Sequence, residues 1–220
     1  MKNLLNLLLI TLATTTIFAG TTPAMEMPGS SPLAMHHMMT DNSRPLVGNP
    51  APEFTLDAVV STVAGKEFKK IRLADYRGKW LVLFFYPADF TFVCPTEIKG
   101  FSDALDAFRK LDAEVLGGSV DSKYSHLAWI KRGDLGELKY PLFADFKKEV
   151  ARDYGILDVK EGVALRGLFI IDPQGVLQYQ AVHNLDVGRS VEETLRVLEA
   201  LQTGSLCPLG WKPGQKTLGK

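Results

Sequence analysis

The apolar positions of the chain change from the spacing of strands to the spacing of helices and back. Residues 80–85 form an unbroken apolar run, and a run of that length is typical of a strand buried on both faces. After Pro95, the apolar residues between positions 98 and 108 recur at offsets of three and four, which predicts one face of an amphipathic helix. Pro95 fits the first turn of that helix, where its missing N–H costs nothing.

Further elements follow the same alternation. We predict a short edge strand at Phe54 and Leu56, a polar turn over 75–79, a strand over 113–120, helices over 122–132 and 147–154, a hairpin of 165–171 with 176–182, and a helix that opens at the capping box 190–193 and runs to Leu201. Strands that alternate with helices, followed by a hairpin, predict an α/β domain with a mixed sheet.

The first twenty residues do not follow this pattern. Lys2 is followed by an apolar stretch over 4–13 and then by small residues that include Ala19. A membrane span needs about 20 apolar residues, and this stretch is shorter, so we predict a secretory signal over 1–20 with cleavage after Ala19 or, at the latest, after Ala24. The mature chain would then have no span and would be exported to a bacterial periplasm. The alternative is an uncleaved anchor.

Residues 21–45 hold four prolines and no periodicity, and this composition predicts a flexible linker. Every methionine except the first lies here, and thioether and imidazole groups suit copper. The candidate ligands of a weak copper site are Met35, His36, His37, Met38 and Met39. The alternative is a linker with a chance bias in composition.

Charge and cysteine content exclude several classes of protein. The chain has 25 basic and 25 acidic residues, so it lacks the cationic excess that a nucleic-acid binder needs. Two cysteines are too few for a disulfide-rich scaffold or a four-cysteine zinc site. The position of each cysteine therefore carries more information than their number.

Cys94 lies between the predicted buried strand and the helix that contains Pro95. The N-terminus of a helix favours negative charge, and ligands bind at such junctions of α/β sheets, so the sulfur is placed to act as a nucleophile. Position 97 is Glu97 and not a second cysteine, which argues against a thioredoxin-type disulfide exchanger. The alternative interpretation is a small buried apolar residue.

The residues around Cys94 also resemble a known family. The stretch 84–97, FFYPADFTFVCPTE, is similar to the active-site signature of typical two-cysteine peroxiredoxins, the group that contains alkyl hydroperoxide reductase C. The resemblance extends over residues 46–216. It implies a thioredoxin-like domain over 46–202 with a C-terminal arm over 203–220, a homodimer of the B type, and a ring of five dimers as a further assembly. It also implies a peroxidase that needs no cofactor and is reduced by a thioredoxin-like or other disulfide reductase.

The resemblance assigns roles to residues at matching positions. Cys94 would attack the peroxide and become a sulfenic acid, and Cys207 would resolve it as a disulfide between subunits. The spacing of the two cysteines alone does not exclude a bridge within one chain. Thr91 would bind the sulfur and the peroxide, Pro87 would shield the site, and Arg166 would hold the thiolate and the peroxide oxygens.

Other positions match surrounding members of that site. Glu97 and Arg189 would orient the arginine network, and Trp129 matches an aromatic lining residue that we interpret as core packing. His126 and His183 have no acid at a useful spacing, so we interpret both as structural. Two other classes of function stay open: an exported holdase chaperone and a copper-binding redox protein.

Overall fold

The computed structural model describes residues 47–220. The predicted signal over 1–20 and the linker over 21–45, with its candidate copper ligands, lie outside these residues. Within 47–220, no helix has both the length and the apolar character needed to cross a membrane.

The described chain contains nine strands, five α-helices and one short 3-10 helix at Leu73–Tyr76. The strands are β1 (Thr55–Val59), β2 (Phe68–Arg72), β3 (Trp80–Phe85), β4 (Ala113–Ser119), β5 (Leu142–Ala144), β6 (Leu157–Asp158), β7 (Val163–Ala164), β8 (Arg166–Ile171) and β9 (Leu177–His183). The helices are α1 (Cys94–Asp103), α2 (Leu105–Lys110), α3 (Lys123–Arg132), α4 (Glu149–Asp153) and α5 (Val191–Gln202).

Seven strands form one mixed sheet in the order β2-β1-β5-β4-β3-β8-β9. The pairs β3–β4 and β4–β5 are parallel, and the other pairs are antiparallel. The predicted mixed α/β class is therefore confirmed, as are the buried strand over 80–85 and the hairpin of β8 with β9. β3 is the central strand of the half that carries Cys94, since it pairs with β4 on one side and β8 on the other.

Some predicted elements differ from the structure. The strand at Phe54 and Leu56 is not an edge, because β2 pairs outside it, and the two lysines of β2 conceal that strand in the sequence. The helix predicted across 98–108 is two helices, separated at Ala104. The helix predicted over 147–154 is shorter, because Lys148 has a left-handed backbone (φ 62°) that precedes its first turn. β5 has only three residues, which is too short for a periodicity.

The sheet separates two apolar clusters. Side chains alternate along β3, so Phe85 enters one cluster while Phe84 enters the other, which contains Cys94, Ile98 and Trp129. The Phe84 ring stacks on Phe101 of α1 at a centroid distance of 4.5 Å. This packing holds α1 against the sheet and places its first residue beside the end of β3.

Candidate active site

Cys94 is the first residue of α1 and its side chain is fully buried. The strand β3 ends at Phe85, and residues 86–93 form a loop that leads into the helix. Pro95 occupies the first turn, as predicted. The structure therefore confirms that the cysteine lies where a central strand passes into a helix.

The first turn of α1 begins without a side-chain cap. Val93, at the N-cap, has helical backbone angles, and its carbonyl accepts the backbone N–H groups of Thr96 and Glu97 (3.1 and 3.4 Å) and the Thr96 hydroxyl (2.6 Å). The first N–H groups of a helix have no partner within it and form its positive end. Cys94 thus lies at the positive end of a helix, which attracts an anion.

Arg166 is the residue that contacts the sulfur. It begins β8, is 3% exposed, and its Nη1 lies 3.4 Å from Cys94 Sγ and 2.7 Å from Glu97 Oε2. Its Nε donates to the Leu185 carbonyl at 2.8 Å. Because these bonds fix the guanidinium, its N–H groups stay aimed at the sulfur and need no reorganisation when charge develops there.

Glu97 joins Arg166 to Arg189, as the resemblance implies. Arg189 donates to the Glu97 carboxylate from its backbone N, Nε and Nη2 at 2.7–2.9 Å, and from Nη1 to the Phe85 and Gly167 carbonyls. Burial raises the pKa of Glu97, but the hydrogen bonds and charge of Arg189, followed by the charge of Arg166, outweigh it and leave that pKa below its usual range. Two guanidinium groups face one carboxylate here, so a thiolate at Cys94 would complete the charge balance.

Thr91 and Pro87 lie in the loop that precedes Cys94. The Thr91 hydroxyl donates to the Ala88 carbonyl at 2.9 Å, which leaves its oxygen lone pairs free to accept, and Pro87 is half-buried two residues after β3. Their roles toward sulfur and peroxide stay predictions. The structure places both in the short loop that leads from β3 to Cys94.

Trp129 packs beneath this loop. Its side chain is buried, its indole N–H donates to Asp134 Oδ2 at 3.0 Å, and its ring lies 5.5 Å from that of Phe90. These contacts agree with our interpretation of Trp129 as core packing under the loop.

His126 differs from the prediction. We expected no acid to pair with it, but its Nδ1 lies 2.8 Å from Asp89 Oδ2, and both side chains are buried. The two residues are 37 positions apart, so no local spacing could show the pair. His183 has no such acid, and its buried Nδ1 has no hydrogen-bond partner within residues 47–220.

Cys207 follows α5 and is half-buried. Its Sγ lies 3.7 Å from the Ala200 carbonyl and 3.5 Å from Thr203 Oγ1. The arm that carries it is folded back, with backbone bonds of 2.8 Å that join Leu206 to Leu218 and Gly219. The sulfur therefore rests on the last turn of α5.

The two cysteines lie near different ends of helix α5. Arg189, which binds Glu97 beside Cys94, lies just before Ser190 at the N-cap of α5, whereas Cys207 rests on Ala200 near its other end. Ten residues of helix between Ser190 and Ala200 span about 15 Å. Both cysteines are free in the described chain.

Comparison with known proteins gives consistent matches. Residues 47–180 match the model of the AhpC/TSA family. YkuU of Bacillus subtilis, named as a candidate peroxiredoxin, is 60% identical over 179 residues, which cover 79% of this chain and 98% of the relative. The chloroplast 2-Cys peroxiredoxin of Spinacia oleracea is 55% identical over 183 residues, covering 79% of this chain and 68% of the relative.

Solved structures of 2-Cys peroxiredoxins and AhpC also match this chain. The crystal structure of the reduced 2-Cys peroxiredoxin of Plasmodium vivax matches with a TM-score of 0.72 and 41% identity, over 78% of this chain and 91% of the other. AhpC of Mycobacterium tuberculosis matches with a TM-score of 0.70 and 40% identity, over 77% and 99% of the two chains.

Proposed function

Because this chain belongs to the AhpC/TSA family of peroxiredoxins, we propose that it is a peroxidase that reduces hydrogen peroxide and organic hydroperoxides through Cys94. Its thioredoxin-like fold is the one that the resemblance implied. The observation that carries the proposal is the buried Arg166 guanidinium at 3.4 Å from the Cys94 sulfur. A thiolate is the nucleophilic form of cysteine, and the Arg166 guanidinium is placed to stabilise negative charge at that sulfur.

In the first step, the Cys94 thiolate attacks the terminal peroxide oxygen. A sulfur–oxygen bond forms as the O–O bond breaks, the sulfur is oxidised to sulfenic acid, and the leaving oxygen departs as hydroxide or alkoxide, which takes a proton from solvent to become water or an alcohol. Negative charge moves from sulfur to the leaving oxygen during attack. Arg166 supplies N–H donors at the place where that charge develops, which is the contribution expected of a preorganised anion site.

In the second step, we propose that Cys207 of a partner subunit attacks the sulfenic acid, forming a disulfide and releasing water. Cys94 lies near the start of α5 and Cys207 rests near its other end, which supports resolution by a partner subunit. The first turn of α1 and the arm must both unpack locally for this step. A thioredoxin-like or other disulfide reductase then returns both thiols.

We extend the proposal to assembly and location. A homodimer is the smallest unit that allows resolution between subunits, and a ring of five dimers is the larger assembly that the resemblance implies. The apolar stretch over 4–13 supports export to a bacterial periplasm. Export limits the donor to one that works outside the inner membrane.

Peroxide consumption by the reduced protein tests the function. We expect the wild-type chain to consume hydrogen peroxide with dithiothreitol as reductant and Cys94→Ser to be inactive. Cys207→Ser that has been reduced and then freed of dithiothreitol should consume one equivalent of peroxide and form no intermolecular disulfide on a nonreducing gel, since no thiol is left to condense with its sulfenic acid. Wild-type protein that leaves peroxide intact would refute the proposal. Suppression of aggregation that survives Cys94→Ser would instead indicate a holdase, and activity that falls with loss of residues 21–43 would indicate the copper alternative.

Arg196 is expected to control release of the arm. Its side chain forms a two-bond pair with Glu193 and donates to the Trp211 carbonyl at 3.0 Å, one helical turn before the Ala200 carbonyl that holds Cys207. Loss of such a contact costs about 1 kcal/mol, so Arg196→Gln should raise the rate of disulfide formation roughly fivefold. Rapid quench with nonreducing gels measures that rate. Arg152→Gln is the control, and an unchanged or slower Arg196→Gln reaction would contradict the expectation.

A further inference from the structure

Asp89 is bound from three directions. It lies in the loop between β3 and α1 and is 8% exposed. Its carboxylate accepts the Tyr86 hydroxyl at 2.9 Å and contacts His126 Nδ1 at 2.8 and 3.0 Å, while its backbone N–H donates to Asp121 Oδ2 at 2.8 Å. The residue is thus tied to the end of its own strand, to the segment after β4 and to α3.

Both ring nitrogens of His126 have buried hydrogen-bond partners. Nε2 lies 2.9 Å from the Phe143 carbonyl of β5. Nδ1 lies 2.8 and 3.0 Å from the two carboxylate oxygens of Asp89 and 3.3 Å from the Tyr86 hydroxyl. The imidazole and the carboxylate therefore form a buried hydrogen-bonded pair that joins α3 to the loop, and breaking such a buried contact is costly.

The loop changes character immediately after Asp89. Phe90 has a left-handed backbone (φ 58°), Phe92 is almost fully exposed, and Val93 leaves α1 without a side-chain cap. Thr91 binds back to the Ala88 carbonyl, beside Asp89. The most densely bonded part of the loop therefore ends at Asp89, and residues 90–93 lead from it to Cys94 at the start of α1.

We propose that Asp89 and His126 are positioning residues for peroxide reduction. Their buried hydrogen-bonded contact, defined here as the Asp89–His126 clamp, fixes the start of the loop so that Thr91 and Cys94 return to one geometry opposite Arg166 each time α1 refolds. The clamp touches neither the sulfur nor the arginine network, and it acts only through the placement of the loop. This inference rests on the proposed peroxidase function.

Two reactions of the Cys94 sulfur distinguish an effect on the position of the loop from an effect on the reactivity of the thiolate. Alkylation of Cys94 by iodoacetamide needs only an accessible thiolate, whereas peroxide reduction needs the loop in place. A misplacement of about 1 Å can cost roughly a hundredfold in rate, so we expect Asp89→Asn and His126→Gln each to slow peroxide reduction by about 10- to 100-fold. Alkylation should stay close to the wild-type rate, and the double variant should be no slower than the slower single variant, since both act through one bond.

Two further variants keep the test decisive. Tyr86→Phe removes only the hydroxyl that binds Asp89 and lies 3.3 Å from His126 Nδ1, and it retains the ring, so it tests the clamp even where an Asp89 or His126 variant fails to fold. Asp145→Asn is the control, because Asp145 is also buried but binds the backbone N–H groups of Val150 and Ala151 instead of the loop. Its peroxide rate should stay close to that of the wild type, because asparagine keeps an oxygen that can accept those bonds.

The possible results distinguish failure of the clamp from failure of the proposed peroxidase function. Peroxide rates near wild type in folded Asp89→Asn, His126→Gln and Tyr86→Phe would overturn the clamp, and so would equal losses in peroxide and alkylation rates, which indicate only a loosened fold. Wild-type protein that does not reduce peroxide would instead remove the proposed function on which the inference rests.

Discussion

Replacement of Arg166 with alanine is expected to slow the reaction of Cys94 with hydrogen peroxide by about 10²- to 10³-fold, the cost of removing one preorganised donor from a developing anion. Arg166 Nη1 is 3.4 Å from the sulfur, and bonds to Glu97 and the Leu185 carbonyl hold it there. The guanidinium therefore faces the charge both before attack and as it passes to the leaving oxygen.

Ionisation of the sulfur cannot account for a loss of that size. An ordinary thiol with a pKa of about 8.5 is already about 3% ionised at pH 7, so full ionisation gains only about thirtyfold. Stopped-flow rates measured beside the thiolate absorbance at 240 nm separate the two effects. Arg77→Ala, which removes an exposed arginine bound to Glu53, is the control. A rate for Arg166→Ala that merely tracks the thiolate fraction would contradict the prediction.

Replacement of Glu97 with glutamine is expected to lower the free energy of unfolding by about 3–5 kcal/mol at pH 7, because it leaves buried charge without its partner. The Glu97 carboxylate is the only acid bonded to both Arg166 and Arg189 in the described chain, and all three side chains are at most 3% exposed. The matched control is Glu193→Gln, which breaks a half-exposed pair with Arg196 and should cost less than about 1 kcal/mol.

The loss of unfolding free energy in Glu97→Gln should depend on pH in one direction. The pKa of Glu97 is lower in the folded protein than in the unfolded chain, where it is about 4.3. The stability that this carboxylate contributes is thus fully present above about pH 4.3, and it is lost as the pH falls through the lower pKa of the folded state. We expect urea unfolding of the reduced proteins to show a difference in the free energy of unfolding between wild type and Glu97→Gln that is constant from neutral to mildly acidic pH and narrows only in stronger acid. A difference that widens in acid would contradict this assignment.

The sequence was most informative about the fold where hydrophobic patterns were long. The strand over 80–85 and the hairpin of β8 with β9 were predictable because continuous apolar runs and a turn mark them. β2 was not predictable, since an edge strand buries little and can carry Lys69 and Lys70. The break at Ala104 was missed because the apolar positions keep their helical spacing across it.

The candidate site was also predictable only in part from the sequence. Cys94 could be identified from its place between a strand and a helix, and the resemblance supplied Arg166, Glu97 and Arg189, which lie up to 95 positions from it. The structure brings these groups together as expected. The pairing of His126 with Asp89 depends on how α3 packs against the loop, and that is a tertiary contact with no trace in local spacing.

The packing of Cys207 against the last turn of α5 has a consequence for electron supply. In the reduced protein both sulfurs are held by helices, one at the start of α1 and the other on the Ala200 carbonyl. The disulfide proposed between them would require both places to unfold locally, so the oxidised protein would present a different surface from the reduced one. We therefore expect a reducing enzyme to distinguish the oxidised protein from the reduced one by this difference in surface.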